Sequence, residues 1–306
     1  MKRLQAASLI TAIKTPYDNK GDICIPTYDA LVEKQIDAGV DGIIVGGTTG
    51  EGHLLSWEEH ITLIAHSVHK FGKSLIIVGN TGSNNTREAI KATMNGFSVG
   101  MDAALQINPY YGRTSIRGVI EHFKQVLAIG PAFIYNVPGR TGQDLTPEII
   151  EPLSSHKNFI GVKECAGNER IRYYENQGIA CWSGNDDESY VGRQECGSHG
   201  VISVTSNIIP GLMRQLMNKE NVNESAKLNE KLQDLMQWLF CEPNPIAINT
   251  ALMMTGAVST NFRLPYQALT LNQRKQGLKL LAALDNNQRV GNELLLLNDD
   301  DFKYCI

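Results

Sequence analysis

Between residues 8 and 206 the chain alternates short β-branched runs with longer helical stretches, and it does so eight times. The runs are SLITAIKTP (8–16), GIIVGG (42–47), SLIIVGN (74–80), AALQINP (103–109), AFIYNVP (132–138), FIGVKEC (159–165), ACWSGND (180–186) and GVISVTS (200–206). Between them lie apolar residues at helical spacing, as in TYDALVEKQIDAG, EEHITLIAHSVHKFG and IRGVIEHFKQVLAIG. Strands joined through helices pair in parallel, and eight such units can close on themselves. The pattern therefore predicts the α/β class, as a (β/α)8 TIM barrel; a doubly wound open sheet is the competing arrangement.

Beyond residue 219 the strand signals stop. SAKLNEKLQDLMQWLF, PIAINTALMMTG and LNQRKQGLKLLAALDNN read as helices, and NDDDFKYCI reads as an ordered or semi-ordered tail. The expected division is a catalytic barrel over 1–219 and a C-terminal helical region with its tail over 220–306. Ser56 and Glu59 form a capping box before the second barrel helix. Gly39, Gly72, Gly100 and Gly130 each follow a periodic stretch, where a left-handed cap is expected.

A net charge of −4 gives no electrostatic reason to expect nucleic acid or an anionic membrane as partner. No apolar run approaches the roughly 18–20 residues of a membrane span. The start, MKRLQAASLITAIKTP, runs straight into a strand without a signal-peptide pattern. A cytoplasmic location is expected, or a mature form whose targeting segment has been removed. The six cysteines show no C-x-x-C pair, so buried, reduced thiols are expected. Cys165 shares a strand face with Lys163, for which packing near the site is the simpler role.

In a TIM barrel the active site lies at the C-terminal ends of the strands, and unusual polar residues gather there. Thr48 and Thr49 follow strand two, and Tyr110 and Tyr111 follow strand four. Tyr135 and Arg140 stand at the end of strand five, Lys163 in strand six, and Gly184 with Asn185 at the end of strand seven. Lys163 lies in a run otherwise suited to burial, where a lysine seldom sits without a partner or a task. A salt bridge to Glu164 is the plain alternative, although adjacent strand residues face opposite ways. Desolvation would make Lys163 a neutral amine nucleophile. Tyr135, one strand away, is either core packing or a proton donor and acceptor. Arg140 is either half of a loop ion pair or a two-pronged carboxylate ligand. GGTTGEG lacks the P-loop pattern, and a carboxylate rather than a phosphate is the anion expected there. His66 and His69 share a helix face without a third ligand, so no metal site is expected. His122 and His156 are expected on outer helices.

These segments, together with GNTGSN, NPYYG, YNVPGRTG and GVISVTSN, resemble the pyruvate-dependent class I aldolase family across nearly the whole chain. SWEEH, EPNPIA and the DDDF tail resemble plant-type members in particular. The resemblance implies a Schiff base on Lys163 with pyruvate, acid–base work by Tyr135 relayed through Thr48, and Tyr111 completing the relay from a neighbouring subunit. It implies that Thr49 contacts the pyruvate carboxylate, that Arg140 holds the carboxylate of a second substrate, L-aspartate 4-semialdehyde, and that Gly184 and Ile202 line the pocket. Gly139 departs from the serine many relatives carry. The reaction would open lysine and diaminopimelate biosynthesis without a metal or organic cofactor. His53, Trp57, His60, Asn84, Glu88 and Tyr110 match a site for L-lysine as feedback inhibitor. A homodimer, paired into a tetramer, is the implied assembly. The rivals are a Schiff-base lyase of the same family for N-acetylneuraminate or a 2-keto-3-deoxy sugar acid, and a non-catalytic amino-acid-binding barrel.

Overall fold

The computed structural model describes residues 2–220 and 222–306. A short helix, α1 (Lys2–Ala6), leads into β1 (Leu9–Ala12). Then follow α2 (Ile25–Asp37), β2 (Gly42–Val45), α3 (Trp57–Phe71), β3 (Ile76–Asn80), α4 (Thr86–Ser98), β4 (Ala103–Ile107), α5 (Ile116–Leu127) and β5 (Ala132–Asn136). Two helices, α6 (Pro138–Thr141) and α7 (Pro147–Ser154), precede β6 (Phe159–Glu164). The barrel chain ends with α8 (Asn168–Asn176), β7 (Cys181–Ser183), α9 (Ser189–Glu195), β8 (Gly200–Ser203) and α10 (Pro210–Leu216). β1 to β8 pair in parallel in sequence order, and β8 returns to β1, so the sheet is a closed barrel rather than an open one. The strands are shorter than the apolar runs that announced them: seven of the runs continue into the loop at the barrel mouth, whereas β3 begins two residues into its run and ends with it.

Strand alternation divides the apolar residues into two cores. Leu9, Ile43, Ile77 and Ile134 face the helices, whereas Ile10, Ile44, Val78, Phe133, Trp182 and Ile202 fill the barrel. β6 breaks this rhythm. Phe159 pairs with Ala132, but Gly161 pairs with Phe133, so one extra residue is inserted between them. This bulge resets the phase. Ile160 belongs to the inner core and Val162 to the outer one, so the next residue, Lys163, points inward beside its partner Tyr135. Counting by twos from Ile160 would have turned Lys163 outward.

The capping box at Ser56 and Glu59 is present. Gly39 and Gly100 are left-handed, with φ of +73° and +95°. Gly72 and Gly130 are not, contrary to expectation. Gly72 continues the last turn of α3 at φ −61°, its amide bonded to the Val68 carbonyl. Gly130 precedes Pro131, which favours extended backbone, and a Cβ there would stand 2.4 Å from the Phe97 ring. His122 lies on α5 as expected, whereas His156 sits in the turn after α7.

Three helices continue the chain: α11 (Val222–Trp238), α12 (Ile246–Met254) and α13 (Leu271–Ala282). The expected helical region and ordered tail are present, and they also carry two short strands that the sequence does not announce. β9 (Asn261–Arg263) and β10 (Lys303–Cys305) form a two-stranded parallel sheet that fixes the tail. Strands of three residues are too short to display alternation. What holds them is aromatic: Phe262 lies 6.0 Å from both the Phe302 and the Tyr304 ring centroids. Leu232, Leu235 and Trp238 of α11 join the apolar cluster between barrel and helices. Among the described residues, no helix is long and apolar enough to cross a membrane.

The bulge depends on a missing side chain. A Cβ on Gly161 would stand 2.4 Å from the Ala180 carbonyl oxygen and 2.7 Å from the Trp182 ring. Gly161→Ala is therefore expected to lower stability by about 1–3 kcal/mol, seen as a lower urea midpoint at unchanged slope. A midpoint equal to that of the wild type would mean that the bulge does not need glycine.

Candidate active site

Lys163 is 6% exposed, at the end of a cavity of about 260 Å³ in the barrel mouth. Its Nζ lies over the Tyr135 ring, 4.4 Å from the centroid, and has no hydrogen-bond or ion-pair partner among the described residues. Burial holds the ammonium below the ordinary lysine value; Cys165 and Asp186 oppose the shift, and Arg140 adds to it. Asp186 is committed elsewhere: one carboxylate oxygen accepts from the Val204 and Thr205 amides and from the Thr205 hydroxyl, at 2.8–3.0 Å. Burial also pushes the Tyr135 phenol up, so it rests protonated, while Arg140 and the Thr48 hydroxyl pull it back. An amine biased toward neutrality beside a protonated phenol suits carbonyl addition followed by proton transfer.

The mouth is built from both parts of the chain. Thr48, Thr49, Arg140 and Gly184 line the cavity as expected, joined by Ala12, Cys165, Phe240 and Asn244. Ile202 does not border it; this residue is fully buried in the inner core, and Val204 supplies the wall instead. Gly139 lines the mouth with no atom within 4 Å of the place where a Cβ would stand. Asn244 was missed by sequence reasoning, although EPNPIA contains it. Its side-chain amide donates to the Thr49 hydroxyl at 3.1 Å, and its main-chain carbonyl accepts from Arg140 Nη2 at 2.7 Å. An asparagine between two prolines in a non-periodic stretch was the available signal.

A second cavity, of about 490 Å³, shares Gly47, Thr48, Asn80, Ile107 and Arg140 with the first. It brings together His53, Trp57, His60 and Tyr110, and adds Tyr266 from the C-terminal region. Trp57 stacks on His60 with 5.4 Å between centroids and 8° between planes. His60 packs under Gly46, where a Cβ would stand 1.9 Å from its ring, and burial pushes its pKa down to about 4. Burial lowers His53 as well, and its Nε2 lies 2.9 Å from the Tyr266 hydroxyl. The remaining residues expected here stand apart. Asn84 lines a third recess with Tyr110 and Tyr111, and Glu88, in the first turn of α4, lines none of the three. Tyr111 is 94% exposed, at φ +68°, and does not line the cavity of Lys163. Among the described residues no cluster of histidine, cysteine and carboxylate is disposed to hold a metal ion. His66 instead bonds Asp29 at 2.6 Å.

Residues 5–284 match the model of the dihydrodipicolinate synthetase family. The chain belongs to this family. Among its relatives, the chloroplastic 4-hydroxy-tetrahydrodipicolinate synthase 1 of Triticum aestivum is 55% identical over 300 residues, covering 98% of this chain and 76% of that one. The chloroplastic synthase 1 of Arabidopsis thaliana is 53% identical, covering 98% and 81%. Among solved structures, dihydrodipicolinate synthase from Acinetobacter baumannii complexed with pyruvate superposes with a TM-score of 0.87 at 34% identity, over 90% of this chain and 98% of that one. The enzyme from Cyanidioschyzon merolae with lysine bound gives 0.86 at 29% identity, over 91% and 98%.

Glu164 is the anion beside Lys163 in sequence, and the two point to opposite faces of β6. Its Oε1 accepts from Asn136 at 2.8 Å and from the Ala166 amide at 2.7 Å, but Oε2 is buried without a partner. Burial pushes its pKa up to about 7. An unfolded glutamate titrates near about 4.3, so the folded state binds the extra proton between those values. Wild-type stability therefore falls as pH rises through that window. Glu164→Gln lacks the titration. Its stability relative to wild type, by urea unfolding, is expected to grow from pH 4 to pH 7 and then level off; a difference independent of pH would refute the assignment.

Proposed function

We propose that this chain condenses pyruvate with L-aspartate 4-semialdehyde to give 4-hydroxy-tetrahydrodipicolinate, opening lysine and diaminopimelate biosynthesis. The observation that carries it is Lys163, buried beside Tyr135 without a partner among the described residues, in a cavity that Arg140 also lines, in a chain of this family. Lys163 Nζ adds to C2 of pyruvate, whose carboxylate is held near Thr49. Tyr135, with Thr48, returns a proton to the departing hydroxyl, and water leaves as the imine forms. Loss of a C3 proton gives the enamine, with the protonated imine nitrogen as electron sink. The enamine carbon attacks the aldehyde, whose carboxylate pairs with Arg140 at the mouth. The substrate amine then closes the ring and displaces Lys163.

In this reading residues 1–219 supply the reacting groups, and residues 220–306 supply the wall of Phe240 and Asn244 over the mouth. Tyr111 completes the proton relay in a second copy of the chain, which accounts for a tyrosine held exposed in a left-handed conformation. The subunits form a dimer and pair into a tetramer. The chloroplastic relatives support the plastid stroma as the location.

Pyruvate with borohydride should leave a reduced adduct on Lys163 and abolish turnover. Because burial lowers the lysine pKa, the trapping rate should rise with pH and level off below about 10.4, the ordinary lysine value. Arg140→Ala should impair use of the aldehyde far more than of pyruvate. Mixing Tyr111→Phe with Lys163→Ala subunits should restore part of the turnover. An adduct on another lysine, or none, overturns the mechanism; verified subunit exchange without recovery returns Tyr111 to its own subunit.

The second cavity is proposed as the site for L-lysine as feedback inhibitor, with Trp57 and His60 as its apolar wall and Tyr110 toward the neighbour. Asn84 and Glu88, outside this cavity, are assigned to the same interface as polar ligands of the amino acid. Inhibition requires that L-lysine bind active and inhibited states differently, so calorimetric binding and kinetic inhibition should give one constant in the wild type. Trp57→Ala should weaken both in parallel. Absence of heat and of inhibition at millimolar L-lysine would remove the effector reading.

A further inference from the structure

The cavity of Lys163 contains a second nucleophile that the condensation leaves unused. Cys165 follows Lys163 by two residues, emerges on the same side just past the end of β6, and lines the cavity. The two side chains meet at Gly184. The place where a Cβ would stand on that glycine is 2.3 Å from Cys165 Sγ and 3.1 Å from Lys163 Cε. Lys163, only 6% exposed and without a partner among the described residues, faces the same space. An amine that condenses with a carbonyl at C2 thus has a thiol within reach of C3.

We propose that Cys165 is a directed alkylation site for 2-oxo acids that carry a leaving group on C3, such as a 3-halopyruvate. The proposal rests on the imine chemistry assigned to Lys163. Condensation with the lysine amine expels water and leaves an imine. The imine nitrogen takes the Cys165 proton, which places a thiolate beside an iminium. The sulfur attacks C3, the S–C bond forms as the C–halogen bond breaks, and halide departs. Water then hydrolyses the iminium, releasing a proton, freeing Lys163 and leaving a thioether that bears the 2-oxo acid on Cys165. No oxidant or reductant is needed.

Selectivity follows from the same geometry. Burial pushes the resting Cys165 thiol up to about 11, so an alkylating agent without a carbonyl finds little thiolate there. Cys241 is exposed and serves as an internal reference. An anchored electrophile reverses the order, because attachment to Lys163 converts the second step into an intramolecular one.

The test is 3-bromopyruvate on the intact wild-type chain, followed by peptide mapping with mass spectrometry. Cys165 should be alkylated on the order of tenfold or more faster than Cys241. Excess pyruvate should protect Cys165 but not Cys241, and Lys163→Ala should lose labelling of Cys165 alone. Borohydride added during the reaction should capture a bridge joining Lys163 and Cys165. Iodoacetamide should show the opposite preference and label Cys241 first. Labelling of Cys241 ahead of Cys165 by bromopyruvate, or equal labelling of Cys165 in Lys163→Ala, overturns the proposal. Should pyruvate itself fail to be trapped on Lys163, the Schiff-base reading falls; should it be trapped while bromopyruvate leaves Cys165 unmodified, only the alkylation site falls.

Discussion

The site depends on the cost of keeping a charge on Lys163. An ammonium taken out of water needs a close anion or must lose its proton, and the barrel withholds the anion. Glu164, the adjacent carboxylate, is turned to the outer face. Asp186 acts on the lysine through space, but one of its oxygens is occupied by two amides and a hydroxyl. What Lys163 meets instead is the face of Tyr135. This balance rests on one inserted residue, since the bulge at Gly161 decides which face of β6 the lysine takes.

A second constraint fixes the mouth. Lys14 and Glu51 form an ion pair that is nearly fully buried, and Glu51 also accepts from Asn249 of α12 at 2.6 Å. Glu51 closes GTTGE in a left-handed conformation at φ +56°, unusual for a residue with a side chain. Arg263 of β9 donates to the Leu54 carbonyl, pairs with Glu59, and lies 4.5 Å over the Tyr17 ring. The loop carrying Thr48, Thr49 and His53 is therefore held from the C-terminal region. Removing one member of a buried pair leaves the other charge uncompensated, which typically costs about 3–5 kcal/mol. That cost makes the loop geometry specific.

Much of this was legible in the sequence, for physical reasons that can be named. Eight β-branched runs separated by helices leave few topologies, and a lysine inside FIGVKEC is conspicuous because burial penalises it. Polar residues at strand ends pointed to Thr48, Thr49, Tyr135, Arg140 and Gly184, and the structure gathers them around one cavity. The parts that stayed hidden depend on tertiary contacts or on short segments. The bulge has no sign beyond one glycine. β9 and β10 are too short to show a period. Asn244 and Tyr266 come from the C-terminal region, where periodicity reports helices but not which loops reach the mouth. Ile202 shows how depth escapes the pattern: it takes the expected strand and inner face but is buried in the inner core, behind the residues that border the cavity.

The two cavities share a wall, and this bears on how an occupant of one could affect the other. Thr48 and Arg140 border both, and Arg140 is tied through the Asn244 carbonyl to a side chain that also holds Thr49. A ligand in the second cavity needs no long pathway to reach groups proposed to relay a proton and hold a carboxylate. A displacement of about 1 Å in positioning groups can cost on the order of a hundredfold in rate. Direction matters as much as proximity. His53 and His60 are both biased toward neutrality by burial, so this wall offers no fixed positive charge to an amino acid carboxylate. Arg140 is the cation bordering that space, and it is the same cation proposed to hold the aldehyde substrate. An amino acid whose carboxylate draws Arg140 toward the second cavity would therefore compete electrostatically with the substrate without entering the first.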